Sequence, residues 1–432
     1  MIWNEKIECI SREELRALQS ERLIELVKKV YNNVPFYKQK MDEMGINPSH
    51  IRSIDDITKL PFTYKTDLRD NYPFGLFAAP MKEIVRVHAS SGTTGKPTTV
   101  GYTAKDIDNW REVLSRCLTM AGISSEDVMQ VSYGYGLFTG GLGVHYGAEN
   151  VGCTVVPISG GNTRRQLQLM SDFGSTVLAC TPSYALHLGD ALAEYGYSLA
   201  DMKLKTGIFG AEPWTENMRL ELEKKWGIKA YDIYGLSEIM GPGVANDCEY
   251  HAGLHVHEDH FFPEIVDPET KLPLPEGTEG ELVFTTLTKE GIPLLRYNTR
   301  DLSTLNREVC KCGRTSVRMK KITGRSDDML IIRGVNLFPS QIEHVLLELC
   351  ETSAHYMLYV DRENNLDTLE LQVEMDESKM AETIRDLQML SRKIQQALNS
   401  AIGLSVKVTL VEPKTIARSE GKAVRVIDRR PK

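Results

Sequence analysis

From residue 84 to residue 226, short apolar runs alternate with stretches of helical periodicity, and Gly-rich turns separate them. The runs cover 84–87, 128–131, 154–158, 176–180 and 207–209, and the helical stretches 105–121, 164–173, 183–194 and 216–226. Strand and helix in alternation predict a layered α/β domain built on a largely parallel sheet. Upstream, Leu15, Leu18, Leu23, Leu26, Val27, Val30 and Tyr31 recur at three and four, and Ser11 with Glu14 supplies a capping box. Residues 11–41 therefore read as helical.

Past residue 253 the texture changes. Segments 281–285 and 294–297, with the turn Pro273-Leu274-Pro275-Glu276-Gly277, read as a smaller β-rich unit. From about 326 onward, helix 340–349, strands 355–360 and 368–373, helix 379–401 and strand 405–411 predict a compact α+β module. Gly324-Arg325-Ser326-Asp327-Asp328 reads as a short hinge. The predicted organisation is a large N-terminal domain, 1–326, whose part from about 253 to 325 is β-rich, and a small mobile C-terminal domain, 327–432.

Composition narrows the function. With 432 residues, 41% hydrophobic and 25% charged, the chain has an ordinary globular make-up that excludes long disorder and coiled coil as the main architecture. A net charge of −8 argues against a general nucleic-acid binder. No window holds about 18 consecutive apolar residues, so no membrane span is predicted. The stretch 131–148 lacks Lys, Arg, Asp and Glu but carries six glycines, and reads as a buried loop and helix start. Met1-Ile2-Trp3-Asn4-Glu5 has no basic start followed by an apolar core, which predicts a cytoplasmic protein. Eight cysteines are too few for a disulfide framework. A homodimer is expected on base rate alone.

Four motifs carry chemistry. Ser90-Ser91-Gly92-Thr93-Thr94-Gly95-Lys96-Pro97 follows an apolar run; its glycines and hydroxyls can surround a polyphosphate, with Lys96 neutralising charge. It is not a Walker A loop, because Ser90 stands where the first glycine belongs and Pro97 where Ser or Thr would hold Mg²⁺. Tyr234-Gly235-Leu236-Ser237-Glu238 presents an aromatic face that could stack on a base and a carboxylate that could hold a divalent cation. In Arg296-Tyr297-Asn298-Thr299-Arg300-Asp301-Leu302, the aspartate at a strand end can accept ribose hydroxyls; Gly324-Arg325 follows. Ser419-Glu420-Gly421-Lys422-Ala423 offers a mobile point charge beside a glycine. Each alone is also compatible with an ordinary turn or a solvated side chain.

The order of these motifs from residue 90 to residue 422 resembles that of the acyl-adenylate-forming enzymes, which include acyl- and aryl-CoA ligases, luciferases and peptide-synthetase adenylation domains. Within that superfamily the chain is most similar to the phenylacetate–CoA ligases. This likeness rests on Pro61-Phe62-Thr63-Tyr64-Lys65-Thr66-Asp67-Leu68, on residues 136–143, on Gly210-Ala211-Glu212-Pro213 and on Ser419-Glu420-Gly421-Lys422. The resemblance implies that a carboxylic acid, with phenylacetate as first choice, reacts with ATP and Mg²⁺ to form an acyl-adenylate, and that coenzyme A then takes the acyl group.

It also implies roles. Ser90, Ser91, Gly92, Thr93, Thr94, Gly95 and Lys96 would embrace the phosphates, and Glu238 would bind Mg²⁺. Ala211, Glu212, Tyr234 and Gly235 would line the adenine, and Asp301 with Arg325 would hold the ribose. Lys422 would bridge the attacking carboxylate and the α-phosphate, Asp327 would be the hinge, and Gly334 would line the CoA tunnel. Tyr133, Phe138, Gly210 and Pro242 resemble lining positions for the aryl group; Val144 adds bulk there.

Cys310-Lys311-Cys312 and the segment from Cys248 to His255 form a separate set. Three thiolates and an imidazole suit tetrahedral Zn²⁺ and leave no open position, so Cys248, His255, Cys310 and Cys312 read as a structural site, with His251 or His257 as substitutes. Some relatives resemble this arrangement; reduced thiols without metal are the other reading.

Other outcomes remain open to the sequence: a different aromatic or indolic acid, AMP-forming activation without CoA transfer, or a nucleotide-binding regulatory module with dead catalysis. The retained Gly334 favours CoA, and intact Lys422 and Glu238 argue against the last.

Overall fold

The structure is a computed structural model that describes residues 1–90, 97–322, 324–326, 330–332, 335–349, 352–363, 366–375, 384–417 and 424–430. It divides into two compact units: Met1–Cys180 with Leu192–Ala211 and Ile228–Lys321, and Thr181–Ala191 with Glu212–Gly227 and Ile322–Lys432.

The first unit opens with the helix Arg12–Asn33, started by the Ser11–Glu14 capping box. The predicted helical region then breaks, because Pro35 has no N–H to continue the ladder and instead starts a second helix, Pro35–Glu43. The central sheet has nine strands in the order Leu305–Asn306, Arg318–Met319, Leu254–Val256, Gly241–Asn246, Lys229–Leu236, Thr206–Gly210, Val177–Cys180, Val128–Val131, Thr154–Val156. The last five run parallel, as the strand–helix alternation requires. From Lys229–Leu236 outward the pairing is antiparallel. A separate antiparallel sheet joins Phe261–Val266, Gly280–Thr286 and Tyr297–Ser303.

One expectation is redirected. Residues 84–87 do form a strand, Ile84–Ser90, but it pairs antiparallel with Thr98–Thr103 in a two-stranded sheet of its own. The run is not buried, Val85 being 62% exposed, so its apolar character marks a strand and not membership of the central sheet.

The glycines of 131–148 find their reason in packing. Helix Thr139–Val151 lies so close to helix Ala104–Met120 that a methyl group on Gly143 would stand 2.4 Å from the Trp110 ring. One on Gly147 would stand 2.3 Å from Leu114 Cβ. Residue Val144 between them is fully buried.

A buried polar seam crosses this unit. Arg116 donates from Nη1 and Nη2 to the two carboxylate oxygens of Asp259 at 2.8 and 3.2 Å, and from Nε to Glu112 at 2.8 Å. Arg22 and His260 also face Asp259. Nearby, Arg314 Nε donates to the buried Glu8 carboxylate at 2.6 Å, and its Nη2 to the Met1 carbonyl at 2.6 Å. Glu8 in turn accepts from the Trp3 and Asn4 amides at 2.9 and 2.7 Å, so residues 1–10 are tied to the 310–316 loop.

The second unit has its own four-stranded sheet, in the order Lys407–Val411, Leu366–Met375, Thr352–Glu363, Val426–Asp428. Helices Pro339–Leu349 and Ile384–Ile402 cover it. Leu337, Ile342, Leu358, Leu371, Ile394 and Leu398 form its core. Among the described residues, no helix is long and apolar enough to cross a membrane.

Candidate active site

Strand Lys229–Leu236 delivers Tyr234 and Gly235 at its carboxyl end, the edge of an α/β sheet where ligands collect. Tyr234 donates its hydroxyl to Asp301 Oδ2 at 2.6 Å. Thus the predicted adenine-stacking ring and the predicted ribose-binding carboxylate are joined directly, with Phe284 beside the ring at 6.2 Å between centroids. The Asp301 amide donates to Thr299 Oγ1 at 3.0 Å, which fixes the carboxylate's base. Gly235 is required sterically: a methyl group there would meet the Gly241 carbonyl at 1.9 Å.

Gly210 ends the neighbouring strand opposite Ile233, and a side chain there would meet the Ile233 carbonyl at 2.1 Å. Strand approach alone therefore demands this glycine, whatever it also does for a ligand. Ala211 follows with φ +69°, a left-handed conformation that a non-glycine residue adopts at some cost. Pro242 pairs with Gly235 across the hairpin and packs on Gly143, whose helix is preceded by Phe138. Tyr133 is buried, whereas Phe138 is 42% exposed and lies over Gly140. Glu212 belongs to the second unit, where it accepts from the Ser183 amide at 2.7 Å; Arg325 also falls in that unit.

Glu238 sits on the turn after Leu236 and is only 4% exposed. Its Oε1 lies 3.5 Å from Lys65 Nζ. One buried carboxylate fits Mg²⁺, which takes one or two protein carboxylates and completes its shell with phosphate and water oxygens. The turn is secured by one pair from the motif stretches and by three groups outside them. Ser237 Oγ lies 2.9 Å from Thr139 Oγ1, and the main-chain carbonyls beyond Glu238 accept from Lys289, Tyr102 and Trp110. Lys65 falls within the family-like stretch 61–68, whereas Lys289 falls in none of the motifs.

Ser91, Gly92, Thr93, Thr94, Gly95, Lys96, Asp327, Gly334 and Lys422 lie outside the described residues. Ser90 closes the strand Ile84–Ser90, so the phosphate-loop motif joins two antiparallel strands.

Cys248, His255, Cys310 and Cys312 present donor atoms that all lie within 4.8 Å of one another. Cys248 and Cys310 sulfurs are 3.8 Å apart, and Cys312 Sγ is 3.5 Å from His255 Nε2. His255 Nδ1 is engaged by Ser316 Oγ at 3.0 Å, an orienting contact of the kind that metal-binding imidazoles use. The hydrogen bond between Cys248 and Cys312 is shared unequally: with help from His255 it pulls the Cys312 thiol far below its ordinary pKa and pushes that of Cys248 up, so one of the two sulfurs is the thiolate. The substitutes are committed elsewhere: His251 Nδ1 is 2.5 Å from Asp247, and His257 Nε2 is 3.3 Å from Cys117 Sγ.

The profile of the AMP-binding enzymes matches residues 58–287, and that of the AMP-binding enzyme C-terminal domain matches residues 334–430. The chain belongs to the AMP-binding enzyme family. Within the family it is 53% identical to the phenylacetate-coenzyme A ligase of Aromatoleum evansii, over 99% of this chain and 97% of that one. It is 51% identical to the phenylacetate-coenzyme A ligase of Escherichia coli strain K12, over 100% of this chain and 99% of that one. A crystal structure of 2-hydroxyisobutyryl-CoA ligase in the postadenylation state, in complex with 2-HIB-AMP, is similar at a TM-score of 0.93 and 29% identity, covering 98% of this chain and 91% of that one. The family read from motif order, and the α/β architecture with a separate smaller domain, are therefore those of this AMP-binding enzyme.

Proposed function

We propose that the chain activates phenylacetate with ATP and passes the acyl group to coenzyme A, giving phenylacetyl-CoA, AMP and pyrophosphate. The carrying observation is identity above half, end to end, with ligases of that name. In the first step a carboxylate oxygen of the acid attacks the α-phosphorus; a C(O)–O–P bond forms and the bond to the β-phosphate breaks. A carboxylate is already a nucleophile at pH 7, so no general base is needed. The demand is to bring two anions together.

Tyr234 holds the Asp301 carboxylate in place, and Asp301 with Arg325 would take the ribose hydroxyls. Ala211, Glu212 and Gly235 would border the adenine, and Ser90 to Lys96 the phosphates. Glu238 would hold Mg²⁺, which when bound offsets phosphate charge. Lys422 would stand between carboxylate and α-phosphate. In the second step the CoA thiol attacks the carbonyl carbon, loses its proton and expels AMP. A turn about Asp327 would withdraw Lys422 and bring Gly334 to the pantetheine path. Tyr133, Phe138 and Pro242 would enclose the ring, since flat aromatics and small residues suit an arene with a short arm.

A panel of phenylacetate, hydroxylated phenylacetates, indoleacetate, benzoate and short fatty acids, assayed with ATP and CoA, should rank phenylacetate first by kcat/KM. A fatty acid at the head of that ranking would end the substrate assignment.

The cysteine cluster reads as a structural zinc site, supported by its donor set and its closed geometry. Elemental analysis of purified protein should give about one zinc per chain that survives dialysis against a chelator. Zinc-free protein with full activity and unchanged melting would refute it.

A further inference from the structure

The turn that carries Glu238 lies between two glycines, Gly235 and Gly241, and draws its rigidity from behind. Three buried side chains hold carbonyls of this turn and of the strand that leaves it. Lys289 Nζ donates to Ile239 O at 2.9 Å, the Tyr102 hydroxyl to Met240 O at 2.8 Å, and Trp110 Nε1 to Pro242 O at 2.9 Å. Tyr102 and Trp110 are stacked, with centroids 5.2 Å apart and planes inclined by 14°. Lys289 Nζ rests over the Tyr102 ring at 4.3 Å from its centroid.

The lysine is itself pinned. Asp106, fully buried at the start of helix Ala104–Met120, accepts from the Glu290 and Gly291 amides at 2.7 and 2.8 Å, immediately beyond Lys289. A lysine is a costly residue to bury for the sake of one carbonyl. Lys289 is 2% exposed, and burial pulls its pKa down to about 7 against the charges of Asp106 and Glu238, which favour the cation. What the lysine holds is the carbonyl of Ile239, the residue next to Glu238, so its position sets the turn on which that carboxylate stands.

We propose that Lys289 is a positioning residue for adenylation: bound to the Ile239 carbonyl and seated on the Tyr102–Trp110 stack, it fixes the direction in which Glu238 presents its carboxylate to the divalent cation that accompanies ATP. This rests on reading Glu238 as that cation's ligand.

The test uses Lys289→Met, which keeps length and apolar bulk but removes donor and charge, and Tyr102→Phe, which removes only the Met240 bond. Mn²⁺ affinity is measured by electron paramagnetic resonance in the presence of a non-hydrolysable ATP analogue, beside the Mg²⁺ and phenylacetate dependence of pyrophosphate release. Lys289→Met should weaken Mn²⁺ binding about tenfold and raise the half-saturating Mg²⁺ to match, the usual effect of losing a group that orients a ligand. The phenylacetate KM should stay within about twofold, and Tyr102→Phe should shift cation affinity less in the same direction. A folded Lys289→Met protein with wild-type Mn²⁺ affinity overturns the proposal, and so does one in which cation and acid dependence deteriorate together. Should Lys289→Met not fold, unchanged cation affinity in Tyr102→Phe overturns it. Glu238→Gln separates the two claims. If Glu238→Gln leaves Mn²⁺ affinity intact, the ligand reading has failed; if only Glu238→Gln lowers it, the failure belongs to Lys289 alone.

Discussion

Lys422→Ala should lower the rate of phenylacetate-dependent pyrophosphate release by about 10²–10³, the scale lost when one preorganised charge-stabilising donor is removed from a reaction centre. The same variant, given chemically prepared phenylacetyl-adenylate and CoA, should form thioester at close to the wild-type rate. The split follows from what each step needs. Approach of a carboxylate to a triphosphate is opposed by like charge, and a lysine between them removes that opposition. Attack of a thiol on the mixed anhydride meets no comparable repulsion, and a side chain lodged between acid and phosphate would obstruct it. Single-turnover measurement of both half-reactions on one preparation reads the ratio directly. Equal loss in both would refute the division of labour.

Asp259→Ala should destabilise the first unit by about 3–5 kcal/mol, because it removes the buried two-pronged partner of the Arg116 guanidinium and leaves only the partly exposed Glu112 to balance it. The midpoint of urea unfolding is the readout. Arg116→Met combined with Asp259→Leu should recover much of the loss, since an apolar pair of similar bulk is often neutral where a lone charge is not. Acid sharpens the expectation. Burial pushes the Asp259 carboxyl up, but the His260 and Arg116 charges outweigh it and hold the group well below the usual carboxylate range. A folded-state pKa below the unfolded one stabilises the protein above about pH 4, and that stabilisation erodes as pH falls further. The gap between wild type and Asp259→Ala should accordingly narrow on acidification. A constant gap would show that the pair is not the source.

What the sequence disclosed, and what it withheld, divides along the range of the interactions. Local rules were legible: the Ser11–Glu14 box starts a helix where expected, and the parallel strands fall on the apolar runs. Chemistry that few residue types can perform is legible too, which is why Cys248, His255, Cys310 and Cys312 group together on residue type alone. Pairing over long separations was not. Nothing in residues 84–87 says that their partner is Thr98–Thr103 rather than the central sheet. Tyr234 and Asp301 were each assigned to the nucleotide, yet their mutual hydrogen bond depends on two sheets meeting. Lys289 was invisible for the same reason. Lysines are ordinarily solvated, and only the fold brings Asp106 and Tyr102 from almost two hundred residues upstream to surround this one.

The tie between Glu8 and Arg314 spans 306 positions. Helix Arg12–Asn33 can form from local contacts alone, while the residues before it are held by a segment three hundred positions away. Because the same 310–316 loop carries Cys310 and Cys312, the leading segment and half of the cysteine–histidine cluster share one anchor, and loosening either end of the ion pair would disturb both.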